Sequence, residues 1–286
     1  MRLTATVAAT SANLGPGFDC FGLALDLCNE VVFEPAGRPR VTWEGEGAGE
    51  LPTDGSDVVS RAIDATARRA GREAPSGAIR GVNRIPLERG LGSSAAAAVA
   101  GVGLANAALG LGLEPTHVLE IAAGLEGHPD NVAAAVFGGF TMVLDDQVVA
   151  RFDPDPDLRP ALFLPADVRV STEAAREALP EAVRHTDAAS NAGHAALTAV
   201  ALLHDPGLLP RAMRDRLHED VRLALVPEVR ATFDRLREAG LAVCVSGSGP
   251  ALLAFEREDV VTPDPDEGWT VLRVPVRASG VDIREG

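Results

Sequence analysis

The segment Pro86-Leu87-Glu88-Arg89-Gly90-Leu91-Gly92-Ser93-Ser94-Ala95-Ala96 carries the sharpest chemical signal in the chain. A strand pattern ends before it, two glycines shape a turn, and two serines open an alanine-rich helix. That is the chemistry of an anion site. Glycines let backbone approach a ligand closely, free N–H groups at the helix start point outward, and the helix dipole favours negative charge. The Ser93 and Ser94 hydroxyls can add hydrogen bonds or touch a metal. The same residues also suit an ordinary loop with a serine N-cap.

Three further segments concentrate polar groups. Thr10-Ser11-Ala12-Asn13-Leu14-Gly15-Pro16-Gly17-Phe18-Asp19 lies between two strand patterns and reads as a shaped loop or as a plain turn. Glu126-Gly127-His128-Pro129-Asp130-Asn131 follows a helix that contains Glu120, and gathers acids beside a histidine. A solvated helix end would look the same. Ser246-Gly247-Ser248-Gly249-Pro250 separates two apolar strands, as a backbone-lined loop over a ligand or a flexible turn.

Composition narrows what these segments can do. All 26 basic residues are arginine, and tyrosine is absent. Without lysine there is no Walker-type phosphate loop, no protein-kinase signature set, no pyridoxal Schiff base and no lysine nucleophile. The net charge of −15 makes the chain a poor general binder of nucleic acid or anionic membrane. An anion must therefore be held by local geometry. Cys20, Cys28 and Cys244 form no CxxC pair and are expected to be buried small hydrophobes in a reducing compartment. Ala95 to Leu113 lacks charge, but its alanines and glycines transfer poorly into lipid, so a buried helix is expected. The start alternates apolar and polar residues as a strand does. A cytoplasmic protein is expected.

The elements that position these segments read as a mixture. Strands are expected over Cys20–Glu34 and Ala78–Ile85, with a helix between them over Asp57–Ala70. Helices follow from Ser93 and from Glu114-Pro115-Thr116, then a hairpin over Phe140–Phe152 turning at Asp145-Asp146. Asp153-Pro154-Asp155-Pro156-Asp157 is the clearest break in composition, and sets a domain boundary between 1–152 and 153–286. Beyond it come a strand near Ala161–Leu164, helices around Thr172–Leu179, Asp187–Leu203, Gly207–Leu217 and Glu228–Ala239, and strands at Leu241–Val245 and Ala251–Phe255. With no regular βαβ rhythm, the expected class is α+β.

Together the four segments resemble the homoserine kinase branch of the GHMP small-molecule kinase superfamily. The resemblance rests on Ser11–Asp19, Pro86–Ala96, His128-Pro129-Asp130-Asn131-Val132 and Ser246–Pro250, in the family's order and across nearly the whole chain. It implies an N-terminal domain like the second domain of ribosomal protein S5 and a ferredoxin-like C-terminal domain, with the active site between them. It implies ATP-dependent phosphorylation of the side-chain hydroxyl of L-homoserine in threonine biosynthesis, and suggests a homodimer.

The resemblance also assigns residues. ATP phosphates would sit on Pro86, Leu87, Glu88, Arg89, Gly90, Leu91, Gly92, Ser93, Ser94, Ala95 and Ala96. Ser93 and Glu120 would hold Mg²⁺, with Ser94 an alternative to Ser93; Glu126 sits at the wrong spacing for the family's ligand. Asn13, Asp19 and His128 would line the homoserine pocket, and Thr172, Arg176 and Arg222 would meet the substrate carboxylate. Relatives with a catalytic aspartate carry it eleven residues after the metal glutamate, where this chain has Asn131. Asn131 and Asp19 would position the hydroxyl, with Asp19 the nearest group to accept its proton. Two rivals stay open: a kinase of the superfamily acting on another small alcohol, and a ligand-binding regulator that keeps the fold without catalysis.

Overall fold

A computed structural model describes residues 1–144 and 149–286. The fold is α+β, built on two sheets. In the first, β1 (Leu3–Ala12), β2 (Phe21–Pro35), β3 (Arg40–Gly45) and β4 (Gly77–Asn83) are joined by β5 (Phe140–Val143) and β6 (Val149–Phe152). β5 and β6 pair antiparallel as the expected hairpin, while its turn at Asp145-Asp146 lies outside the described residues. Only β3 and β4 run parallel among these pairs.

Four helices back this sheet: α1 (Val58–Arg69), α2 (Ser93–Leu109), α3 (Pro115–Glu126) and α4 (Asp130–Phe137). Asp57 caps α1 by accepting the Ser60 N–H at 2.9 Å. From Ala95 to Ala105 every residue of α2 except the half-buried Ala97 is buried, which explains its apolar composition without a membrane. No helix among the described residues is long and apolar enough to cross one. Small side chains let α2 approach its neighbours closely: a Cβ on Gly101 would lie 2.5 Å from the Val59 carbonyl oxygen of α1.

The second sheet takes β7 (Pro160–Pro165), β8 (Ala242–Val245), β9 (Leu252–Phe255) and β10 (Trp269–Arg273), in the order β10-β7-β9-β8. Its strands β7, β8 and β9 are buried throughout because both their faces are covered. Phe163, Val243 and Leu252 pack with α8 (Glu219–Ala224) and α9 (Pro227–Glu238). Leu162, Cys244 and Leu253 join the main core with α6 (His185–His204) and α7 (Leu209–Ala212). The short helix α5 (Thr172–Glu177) stands at the cleft between the sheets. The last strand, β11 (Asp282–Glu285), returns to pair with β1, so the chain crosses back over the break at 152/153.

Sequence patterning did not reveal β3, β10, β11, α4 or α8. β10 and β11 have no fully buried residue and so lack a strong alternation. Cys244 is buried as expected, whereas Cys20 and Cys28 are only half-buried.

Candidate active site

The turn Pro86–Gly92 connects β4 to α2. Gly92 takes φ +65° as the N-cap of α2, with no side chain capping the helix. The leading N–H groups of α2 have no intrahelical partner, so they are available to an anion. The turn is bolted in place from three sides. Thr10 N–H donates to the Leu91 carbonyl (3.0 Å), Ala251 N–H donates to the Arg89 carbonyl (3.2 Å), and Ser246 Oγ lies 2.8 Å from the Gly90 carbonyl oxygen. The Arg89 guanidinium donates to the carbonyls of Pro165, Ala166 and Val168, so its charge is spent on the loop after β7.

Gly90 has φ +73°, and a Cβ there would stand 2.1 Å from the Ser246 carbonyl oxygen. Gly90→Ala is therefore expected to destabilise the protein by at least about 2 kcal/mol, since a left-handed alanine alone costs 1–2 and the contact adds strain. Urea denaturation measures this. A variant within about 0.5 kcal/mol of wild type would show that the turn is not held this way.

The loop after β1 stores strain at non-glycine positions: Asn13, Leu14 and Asp19 all have positive φ. Asn13 holds the loop shut. Its Oδ1 accepts the Asp19 N–H (2.9 Å) and its Nδ2 donates to the Gly247 carbonyl (3.0 Å), tying this segment to the Ser246–Pro250 segment. Asp19 is gripped by Arg176 of α5, whose Nη2 and Nη1 donate to the two carboxylate oxygens at 2.8 and 3.1 Å. Thr172, one turn before Arg176, has its Oγ1 3.5 Å from Ser248 Oγ.

Arg222 on α8 is 4% exposed. Its Nη1 donates to the Gly247 carbonyl at 2.7 Å. Burial pushes its guanidinium down from the ordinary value, opposed mainly by Asp19. The Nε atoms of Arg176 and Arg222 and the Nε2 of His128 are buried without a hydrogen-bond partner. Asn131, second residue of α4, is oriented from behind, because Thr10 Oγ1 donates to its Oδ1 at 2.7 Å. The amide NH₂ makes a long hydrogen bond to Asp130 Oδ1 (3.5 Å) and keeps its second N–H for a ligand. Asp130 is buried, accepts the Asn131 N–H at 2.7 Å, and has its carboxyl pushed up by desolvation with Asp19 adding to the rise.

One cavity of about 260 Å³ is lined by Asn13, Asp19, His128, Asn131, Thr172, Arg176 and Arg222 and by most of the Pro86–Ala96 turn. Of that turn, Leu87 and Ala96 face an adjoining cavity of about 440 Å³ instead. Ser93, Ser94 and Glu88 line both. Trp43, Val31, Leu51, Pro52 and Val58 make the second cavity largely apolar, with Asn29 and Asn83 at its edge. Sequence reasoning did not find it, because Trp43 sits on the unrecognised strand β3 and nothing local marks it.

Glu120 corrects an expectation. It is exposed, pairs with Arg69, and lines neither cavity. Glu126 does line the first cavity and accepts the Ser94 hydroxyl at 2.7 Å. The reason is helical geometry. Six residues turn a helix by about 600° and advance about 9 Å, so Glu120 and Glu126 face different sides of α3. Only the residue at its C-terminal end reaches the start of α2. Burial pushes the Glu126 carboxyl up from its usual range, with the Ser94 hydrogen bond the strongest opposing influence. Hydroxyl and carboxylate oxygens beside a phosphate-type turn fit Mg²⁺, which takes one or two carboxylates together with substrate phosphates and keeps several waters. Among the described residues, no group of three or more His, Cys, Asp or Glu is arranged to hold a metal ion.

Comparison with known proteins agrees with this architecture. The family model for the GHMP kinases N terminal domain matches residues 57–139, and that for GHMP kinases C terminal matches 195–261. A homoserine kinase of Streptomyces avermitilis is 42% identical, covering 97% of this chain and 94% of its own length. One from Mycolicibacterium vanbaalenii is 41% identical, covering 99% and 97%. The crystal structure of homoserine kinase from Cytophaga hutchinsonii superposes with a TM-score of 0.84 at 28% identity, covering 99% of this chain and 97% of that one. A mevalonate kinase shares the fold at 10% identity, with a TM-score of 0.71 over 96% and 99% of the two chains. With both family models in order along the chain and identity above 40% over nearly its full length, this protein belongs to the homoserine kinase family of the GHMP kinases.

Proposed function

We propose that this protein transfers the γ-phosphoryl group of ATP to the side-chain hydroxyl of L-homoserine, giving O-phospho-L-homoserine and ADP. The observation that carries this reading is a set of three buried, unpartnered nitrogens, on Arg176, Arg222 and His128, facing one cavity that ends at the Pro86–Ala96 turn. Arg176 already pairs with Asp19, so Arg222, 4% exposed and bonded to the neutral Gly247 carbonyl and His218, is the costly buried guanidinium that the carboxylate of an amino acid would answer. Asp19, Asp130 and the Asn13 side chain supply the opposite pole for an ammonium group. A mevalonate-type alcohol has no amine to use that pole.

The triphosphate lies along Pro86–Ala96 and the start of α2, and the base enters the apolar cavity beside Trp43. Ser93 or Ser94 together with Glu126 would hold Mg²⁺, which when bound would neutralise charge on the phosphate oxygens. In the transfer the homoserine oxygen bonds to the γ-phosphorus and the bond from that phosphorus to the β–γ bridging oxygen breaks. A loose phosphoryl transition state needs positioning and charge stabilisation more than a strong base. Asn131, fixed by Thr10, presents its NH₂ to the hydroxyl oxygen. Asp19 is the nearest carboxylate to receive the proton, and Arg176 already engages both its oxygens. Residues 1–152 would hold the nucleotide and the segment after the break would complete the substrate site, with β11 returning from that segment to the first sheet.

His128 then serves binding rather than proton transfer. His128→Asn is expected to raise the homoserine KM more than it lowers kcat. Loss of an acidic limb near neutrality from the pH–rate profile of that variant would instead make His128 a base. The function as a whole is tested by following ATP consumption over a panel of small alcohols. Consumption should depend on L-homoserine. Equal rates with mevalonate, or none with any alcohol, would support one of the two rivals.

A further inference from the structure

The buried histidine behind Arg222 played no part in the sequence reading, and the cleft does not include it. His218 immediately precedes α8 and is 1% exposed. Its Nε2 lies 2.9 Å from the Gly15 carbonyl oxygen. A carbonyl only accepts, so Nε2 carries the proton. Nδ1 is then a bare lone pair, and it lies 3.1 Å from Arg222 Nη1, which only donates. The ring stacks on Phe18 at 5.0 Å between centroids, and the Arg222 guanidinium stands over the same Phe18 ring at 5.3 Å. Asp215 Oδ2 accepts the N–H groups of Leu217, His218 and Glu219, fixing the turn from which the ring projects.

We infer that His218 is a positioning residue for substrate recognition: its single allowed tautomer joins the strained Gly15 loop to Arg222 and aims that guanidinium into the cleft. The inference rests on the reading of Arg222 as the carboxylate partner. A charged imidazolium would present an N–H to a guanidinium and break the link. Burial and Arg222 disfavour that charged form, Asp215 and Asp19 favour it, and the balance pushes the ring down to about 4. The bridge therefore persists throughout the neutral range. It joins two segments far apart in sequence, so the Ser11–Asp19 loop and the arginine respond as one unit.

Two replacements separate the roles of the ring. Phenylalanine keeps the stack on Phe18 and loses both hydrogen bonds. Asparagine places its Oδ1 where Nδ1 was, and so keeps the bond to Arg222. His218→Phe should raise the homoserine KM at least about tenfold with the ATP KM within about twofold, and His218→Asn should recover most of that loss. In the double variant His218→Phe/Arg222→Lys, the homoserine KM should be no higher than in Arg222→Lys alone, because the histidine acts through the arginine. If Arg222→Lys raises the homoserine KM and His218→Phe does not, the inference fails while the functional reading stands. If Arg222→Lys itself leaves the homoserine KM unchanged, the reading of Arg222 fails and the inference with it. Nitrogen-15 NMR of the intact wild-type chain gives a measurement independent of variant folding. A neutral ring protonated on Nε2 at pH 7 supports the bridge, and a charged ring or an Nδ1-protonated ring overturns it.

Discussion

Glu126→Gln is expected to lower kcat by at least about a hundredfold, about 2.7 kcal/mol in the barrier, while Glu120→Gln stays within about twofold of wild type. Glutamine preserves the shape of Glu126 and can still accept the Ser94 hydroxyl. What it removes is the negative charge that, on the proposed reading, draws Mg²⁺ to the start of α2. That loss cannot be made good from Glu120, which lies on another side of α3 and pairs with Arg69. An exposed pair of this kind is worth about 0–1 kcal/mol, so Glu120→Gln should also leave stability nearly unchanged. The two variants should diverge further when Mg²⁺ is titrated, with saturation moved to much higher concentration only for Glu126→Gln. A dead Glu120→Gln beside an active Glu126→Gln would mean that α3 is turned differently in the working enzyme.

Arg222→Lys is expected to lower kcat/KM for homoserine by about 2–4 kcal/mol, mostly through KM, with little change in the ATP KM. A guanidinium binds both oxygens of a carboxylate, and lysine cannot reproduce this. The shorter, compact ammonium would also lose the place over the Phe18 ring and the reach of Nη1, which meets both Gly247 and His218. Arg176→Lys should weaken homoserine binding as well, but through a different contact, since Arg176 already grips Asp19. A homoserine analogue with a neutral group in place of its carboxylate separates the two arginines from the fold. Arg222→Lys should cost little against that analogue. Equal losses for both substrates, or a rise in the ATP KM alone, would assign Arg222 to the nucleotide or to stability.

The legible parts of this fold are those where one segment carries its own explanation. The apolar run of β2, the amphipathic α1 with Asp57 at its cap, and the glycine turn before α2 each follow from local pattern. The site was legible as four segments and not as a shape. Thr10 is an unremarkable strand threonine until α4 brings Asn131 against it. His218 lies in a short turn whose meaning comes from Gly15, more than two hundred residues earlier. The glutamate that meets Ser94 shows the limit most clearly. Counting eleven residues back from Asn131 selects Glu120, but the intervening chain is a helix end followed by a turn. Position on α3, not spacing in sequence, decides which carboxylate meets Ser94. β11 escaped for a related reason: its partner is at the other end of the chain, and its half-exposed face leaves no strong pattern.

Phosphorus-31 NMR of the protein with ATP, Mg²⁺ and L-homoserine tests the central claim most directly, because it identifies the product rather than the consumption of ATP. The expected spectrum gains one phosphomonoester resonance, split by the two protons of the adjacent CH₂ group, in step with the appearance of ADP and only when homoserine is present. Release of inorganic phosphate without that resonance, or a phosphomonoester formed only from a different alcohol, would contradict it.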